Sequence, residues 1–115
     1  MHVVVAGGGV VGSFLARTLN EKNEVVVIDK NEDRCELLRT EAGPIKTICE
    51  DACEPWVLEL AGIKDTDLAL AVTGDDEDNL VISYLSKFEY DVPKVIGRVN
   101  NPKNRWLFTP SWAWT

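Results

Sequence analysis

The sequence has 115 residues, 12 of them basic and 19 acidic, for a formal net charge of −7. Its pI is near 4.6, and 45% of its residues are apolar against 27% charged. That is enough chain for one soluble globular domain with its own core, and too little for a separate substrate domain. The acidic balance excludes a nucleic-acid footprint, no apolar run is long enough to span a bilayer, and Met1-His2-Val3-Val4-Val5 lacks a signal-peptide pattern.

Val3-Val4-Val5-Ala6 reads as a buried strand running into Gly7-Gly8-Gly9-Val10-Val11-Gly12. Gly7, Gly9 and Gly12 have G-x-G-x-x-G spacing, and Val25-Val26-Val27-Ile28 then forms a second strand that ends on Asp29. Strand, glycine turn, helix, strand and acid in register make a dinucleotide-binding βαβ unit. Gly7 allows the tight turn, Gly9 lets a diphosphate approach the backbone, and Gly12 lets the helix pack closely. The helix N-terminus turns its free N–H groups and positive dipole end toward the phosphates. Asp29 would accept from the adenosine ribose hydroxyls and repel a 2′-phosphate, which favours NAD or another adenine nucleotide over NADP. A turn that serves packing alone is the competing explanation.

The first helix is expected from about Val10 to Asn20, burying Val11, Phe14, Leu15 and Leu19. Asn31 is placed to cap a second helix with Cys35, Leu38 and Ala42 inward, ending at Gly43-Pro44. Ile45 to Cys49 is a short third strand. Pro55 opens a third helix that buries Val57, Leu60 and Ala61 and stops at Gly62. Leu68 to Val72 is a fourth strand, apolar throughout as a parallel strand covered on both faces must be. A helix with an acidic start follows, with Val81, Tyr84, Leu85 and Phe88 at helical spacing. Val95 to Val99 is the fifth strand, and Asn101-Pro102 caps a short helix through about Phe108. Alternating strands and helices give the α/β class: a Rossmann-like open parallel sheet, order 3-2-1-4-5, with helices on both faces. A full doubly wound fold has a sixth strand, which this pattern lacks. Three of the four tryptophans fall between Trp106 and Trp114, and so much aromatic area near the end of the pattern points to a subunit interface, or else to packing within the monomer.

Ligands of such a sheet sit outside the carboxyl ends of its strands. Gly7 to Val11, Asp29-Lys30, Glu50-Asp51-Ala52 and Thr73-Gly74-Asp75 therefore converge. Asp51 and Ala52 are placed for the adenine, although Asp51 serves equally well as the start of a turn. Thr73 and Gly74 offer a hydroxyl and an approachable backbone, or a simple loop. Asp75-Asp76-Glu77-Asp78 can be a cation site or, the stronger reading, the dipole-complementing first turn of a helix. Arg98 can meet a phosphate or those same acids. Cys35, Cys49 and Cys53 lack metal spacing, and His2 is the lone histidine, which suits reduced thiols and leaves no metal set. Hydride transfer needs a positioned acid or base, and none is in evidence, so a stand-alone dehydrogenase is disfavoured and no catalytic residue is assigned.

Three stretches together resemble the N-terminal nucleotide-binding domain (KTN or RCK) of the Trk/Ktr potassium-uptake regulators: Val5 to Gly12, Ala71-Val72-Thr73-Gly74-Asp75-Asp76-Glu77-Asp78-Asn79, and Val95-Ile96-Gly97-Arg98-Val99-Asn100-Asn101-Pro102. The resemblance covers essentially the whole chain, without the family's C-terminal subdomain, so residues 1–115 are expected to be that single N-terminal domain. It implies a cytoplasmic regulator and not an enzyme. Such domains dimerise or form rings beneath a membrane potassium transporter and change shape with the bound nucleotide, NAD(H), ATP or ADP. Carried over, the phosphate loop is Gly7, Gly8, Gly9, Val10, Val11 and Gly12; the ribose acid is Asp29 beside Lys30; Asp51 and Ala52 lie near the adenine; Thr73, Gly74 and Arg98 complete the site. Some relatives carry an arginine in the glycine loop that favours a triphosphate. Gly8, Val10 and Val11 stand at the non-motif positions here, which favours NAD(H) and leaves ATP and ADP open. Residues 101–115 match the family's dimerisation region. The other readings are the cofactor half of a small NAD-dependent oxidoreductase and a purely structural oligomerisation domain.

Overall fold

The computed structural model describes residues 1–41, 43 and 45–108. Five strands, β1 (His2–Ala6), β2 (Glu24–Ile28), β3 (Lys46–Ile48), β4 (Leu68–Ala71) and β5 (Lys94–Gly97), form one sheet ordered β3-β2-β1-β4-β5, all pairs parallel. Between them run α1 (Val10–Asn20), α2 (Glu32–Glu41), α3 (Pro55–Leu60) and α4 (Asp76–Tyr84). A π turn, Leu85–Glu89, extends α4, and a 3-10 helix, Pro102–Phe108, follows β5.

The sheet is apolar on both faces because each face has a layer of its own. Val3, Val5, Val25, Val27 and Leu70 pack with Ala16 of α1 and Leu38 of α2. Val4, Ala6, Val26, Ile28, Ala69 and Ala71 pack with Val57 and Leu58 of α3 and Ile82 of α4. Successive strand residues thus serve opposite layers, and each buried Val or Ile contributes about 1.5–3 kcal/mol. The chain returns from β3 through α3 and sets β4 on the other side of β1, and that reversal of strand order opens a cleft at the carboxyl ends.

Three helix faces differ from the periodicity reading. On α1 the buried residues are Gly12 and Ala16, while Phe14 is 67% exposed and Val11 also faces out. Leu15 and Leu19 pack only partly against the core. The reason is the closeness of the helix to the glycine turn: a Cβ on Gly12 would lie 1.7 Å from the Gly7 carbonyl oxygen. On α3 Leu58 is buried and Leu60 exposed. On α4 the inner face is Asp76, Asn79, Ile82 and Ser83, with Ser86 beyond, whereas Val81, Tyr84 and Phe88 are exposed and Leu85 packs against the core. Small side chains bring α4 close to β5, since a Cβ on Gly97 would lie 2.7 Å from Ser83 Oγ.

The second helix follows expectation. Asn31 Oδ1 accepts from Arg34 N–H at 3.0 Å, and Cys35 and Leu38 face inward. Ala42 and Pro44 lie outside the described residues, as does the 109–115 part of the aromatic tail. Within the described part of that tail Phe108 is buried, and Trp106 is 70% exposed.

Candidate functional site

The chain leaves β1 through Gly7, whose φ of +118° is open to glycine and strained for other residues, and whose N–H donates to the Ile28 carbonyl at 2.8 Å. Gly8 N–H donates to Asp29 Oδ2 at 2.7 Å, and Ser13 Oγ donates to the Gly8 carbonyl at 2.8 Å. Gly9 is the N-cap of α1, and no side chain caps it. Its φ is −72°, and a Cβ there would meet only the Arg34 guanidinium carbon, at 4.0 Å. Among the described residues nothing requires glycine at this position. The first-turn N–H groups of α1 therefore face an open space.

That space is a cavity of about 530 Å³ at the carboxyl ends of the strands. It is lined by Gly7, Gly9, Val10 and Val11 from the glycine loop, Asp29 and Lys30 after β2, Asp51 and Ala52 after β3, Thr73 and Gly74 after β4, and Arg98 after β5. Gly8 and Gly12 stand behind it. Gly8 ties the loop to Asp29, and Gly12 seats α1 against the turn. The remaining lining includes Asn31, Arg34, Glu50, Asp75 and Asp78. Of these, Arg34 went unforeseen, although it stands one turn into α2, where side chains lean back toward the helix N-terminus and so toward Asp29.

Asp29 is almost fully buried and already holds the site together. Its Oδ2 accepts from Gly8 N–H, its Oδ1 accepts from Asn31 N–H at 2.8 Å, and Arg34 Nη1 lies 3.7 Å from Oδ2. Each carboxylate oxygen has two lone-pair directions, so acceptor capacity remains toward the cavity. The Cys35 thiol donates to the Asp29 carbonyl at 3.1 Å, and burial pushes that thiol up to about 12. Asp51 does begin a turn, with Oδ1 accepting from Cys53 N–H at 2.9 Å, while also lining the cavity.

On the other side of the cleft, Asn79 is fully buried. Its Oδ1 accepts from Thr73 N–H at 2.9 Å and Thr73 Oγ1 at 2.6 Å, and its Nδ2 donates to the carbonyls of Thr73 and Arg98 at 3.0 Å each. The Thr73 hydroxyl is thereby engaged within the protein.

The four acids that open α4 point in different directions. Asp75 is its N-cap and accepts from Asp78 N–H at 3.1 Å, and Asp78 pairs with Lys30 across the cleft at 3.7 Å. Asp76 turns inward and accepts from the N–H groups of Asn100 and Asn101 and from the amides of Asn100 and Asn104. The Asn100 N–H, foremost among these donors, holds the Asp76 carboxyl down at about 2. Arg98 N–H donates to the Ala71 carbonyl at 2.8 Å. Its guanidinium makes no ion pair among the described residues.

Fold and cleft together define a Rossmann-like domain with a glycine-loop site at its topological switch point. A profile of the TrkA-N domain matches residues 3–113, and the chain belongs to that family. It is 39% identical over 114 residues to the Trk system potassium uptake protein TrkA of Mycobacterium tuberculosis (strain ATCC 25618 / H37Rv), covering 98% of this chain and 51% of the relative. The chain spans about half the length of this relative and of the TrkA homolog of Methanothermobacter thermautotrophicus, to which it is 38% identical over 109 residues. The crystal structure of the NAD(P)-binding domain of an exopolyphosphatase-related protein from Archaeoglobus fulgidus is similar with a TM-score of 0.80 at 25% identity, covering 97% of this chain and 83% of that one. The TrkA-N domain of the inner membrane protein ybaL from Escherichia coli shares the fold, with a TM-score of 0.83 at 19% identity over 98% of this chain and 83% of that one.

Proposed function

We propose that this domain is the nucleotide-responsive part of a potassium-uptake regulator. In this reading it binds an adenine nucleotide, NAD(H) in preference to ATP or ADP, in the cleft between the glycine loop and α4. The domain is regulatory and not an enzyme. It works on the cytoplasmic side, as a homodimer or larger ring, on a membrane potassium transporter subunit. The observation that carries the reading is Gly9: an uncapped helix N-terminus with room over its bare Cα, facing a buried acid with acceptor capacity to spare. The relatives' names support the potassium-uptake setting, and the exposed stripe Val81, Tyr84 and Phe88 supports self-association.

The residues present fit such a ligand. The loop N–H groups at Gly9, Val10 and Val11 would take the phosphates, and Asp29 would take a ribose hydroxyl on its remaining lone pairs. Asp51 and Ala52 would border the adenine, Lys30 would stand beside Asp29 at the ribose, and Thr73, Gly74 and Arg98 would border the far end. A bound nucleotide shifts a ring between two shapes only through its difference in affinity for them, so the cleft-lining segments that differ between the shapes carry the signal. Titration calorimetry with NAD, NADH, ATP, ADP and NADP tests this reading. Binding of NADH or NAD that is lost in Asp29→Ala is the expected result. Absence of binding by all five would overturn the proposal.

A further inference from the structure

We infer that Arg34 is the residue that reads the ligand's phosphates, an inference that rests on the cleft being an adenine-nucleotide site. The glycine loop and the first turn of α1 contain no cation, and among the cleft's lining residues acids outnumber bases five to three. A nucleotide anion entering that field needs a positive group beside the loop. Lys30 stands at the α4 rim, its ammonium 3.7 Å from Asp78, and Arg98 stands after β5 on the far side. Arg34 alone is placed over Gly9, its guanidinium carbon 4.0 Å from where a Cβ would be. A phosphoryl group taken up over that bare Cα would lie beside the guanidinium, which has to swing aside to meet it.

Arg34 is also free to take up this contact. Its ion pair to Asp29 Oδ2, its one such contact among the described residues, is 3.7 Å long, and its side chain is 54% exposed. Asp29 does not need it, because two backbone N–H groups at 2.7 and 2.8 Å already fix the carboxylate. So loose and exposed a pair holds the guanidinium only weakly. A ribose hydroxyl donating to Oδ2 takes the place of the guanidinium, which keeps five N–H donors for phosphoryl oxygens. Asp29 and Arg34 thus exchange partners when ligand enters, the acid taking the sugar and the base the phosphate. Lysine in this position would keep the charge and lose the fork.

Calorimetry with adenosine, ADP, NADH and NADPH on the unchanged domain, Arg34→Ala and Arg34→Lys tests this, at low and high salt. Arg34→Ala is expected to weaken ADP and NADH by about tenfold or more, to leave adenosine within about twofold, and to flatten the salt dependence. Arg34→Lys is expected to recover part of the loss. An equal loss for adenosine and ADP would mean that Arg34 acts through Asp29 or the adenine, and would overturn the inference. So would a loss confined to NADPH, which would mark a 2′-phosphate contact, or no change at all. If the unchanged domain binds none of the four, the nucleotide reading itself fails and this inference falls with it.

Discussion

Asn79 holds Arg98 to the cleft through the backbone: its Nδ2 donates to the Arg98 carbonyl at 3.0 Å, while its other contacts all go to Thr73. One buried amide therefore sets the spacing between the loop after β4 and the segment after β5, with both of its donors and both of its acceptors engaged. Asn79→Ala leaves several buried groups without partners and is expected to cost about 2–4 kcal/mol. Urea denaturation measures this, and an unchanged midpoint would remove Asn79 from that role.

Gly9 and Gly12 belong to one motif but do different jobs. Gly12→Ala places a methyl 1.7 Å from the Gly7 oxygen and should destabilise the fold by about 3 kcal/mol or more. Gly9→Ala meets nothing closer than 4.0 Å and should cost under about 1 kcal/mol while blocking nucleotide. Thermal melts and calorimetry on the two variants separate the effects. Similar melting losses in both would contradict this division.

Asp76 gives the fold an acid-sensitive clamp. Its carboxyl is held at about 2 in the folded chain, below the ordinary value of 3.8. A depressed acid stabilises the fold fully above the unfolded value, and that contribution fades as pH falls from about 4 toward 2. Denaturation midpoints across this window should drop more steeply for the unchanged protein than for Asp76→Asn. Parallel curves would show that Asp76 contributes nothing there.

The three thiols should react unequally. Burial pushes Cys35 and Cys53 up to about 12, so neither supplies much thiolate at mild alkaline pH, even though Cys53, like Cys49, is partly exposed. Iodoacetamide at pH 8 followed by peptide mass mapping should find Cys49 labelled first. Early labelling of Cys35 would mean that α2 opens readily.

Self-association should depend on the outward face of α4. Val81→Asp puts a charge into the exposed apolar stripe and is expected to lower the mass seen by light scattering while leaving the melting temperature within a few degrees. An unchanged mass would place any subunit contact elsewhere.

Much of this architecture can be read from the sequence. Val3 to Ala6, Val25 to Ile28 and Leu68 to Ala71 are continuous apolar runs because both faces of the sheet are covered, and Gly7, Gly9, Gly12 and Asp29 mark the cleft by spacing alone. Helix faces are harder, because a stripe of large apolar residues shows that a helix has two sides without saying which one is inside. On α1, Gly12 and Ala16 lie inward because the helix must approach the glycine turn. On α4, Asn79, Ser83 and Ser86 lie inward because β5 and its glycine leave little room. Buried Asn79 and Asp76 have partners at Arg98, Asn100, Asn101 and Asn104, 19 to 28 positions away, and no local pattern announces a match at that range. Arg34 reads in sequence as an ordinary surface charge, and becomes distinctive only when α2 brings it over Gly9.

The two neighbours of Asp76 face different ways from it. Asp75 borders the cleft and Glu77 is exposed, while Asp76 grips Asn100, Asn101 and Asn104 with four hydrogen bonds. Wall and grip are adjacent residues of one helical turn. Asn104 on the 102–108 helix is held by the same carboxylate, so that helix and the turn bordering the cleft share one anchor.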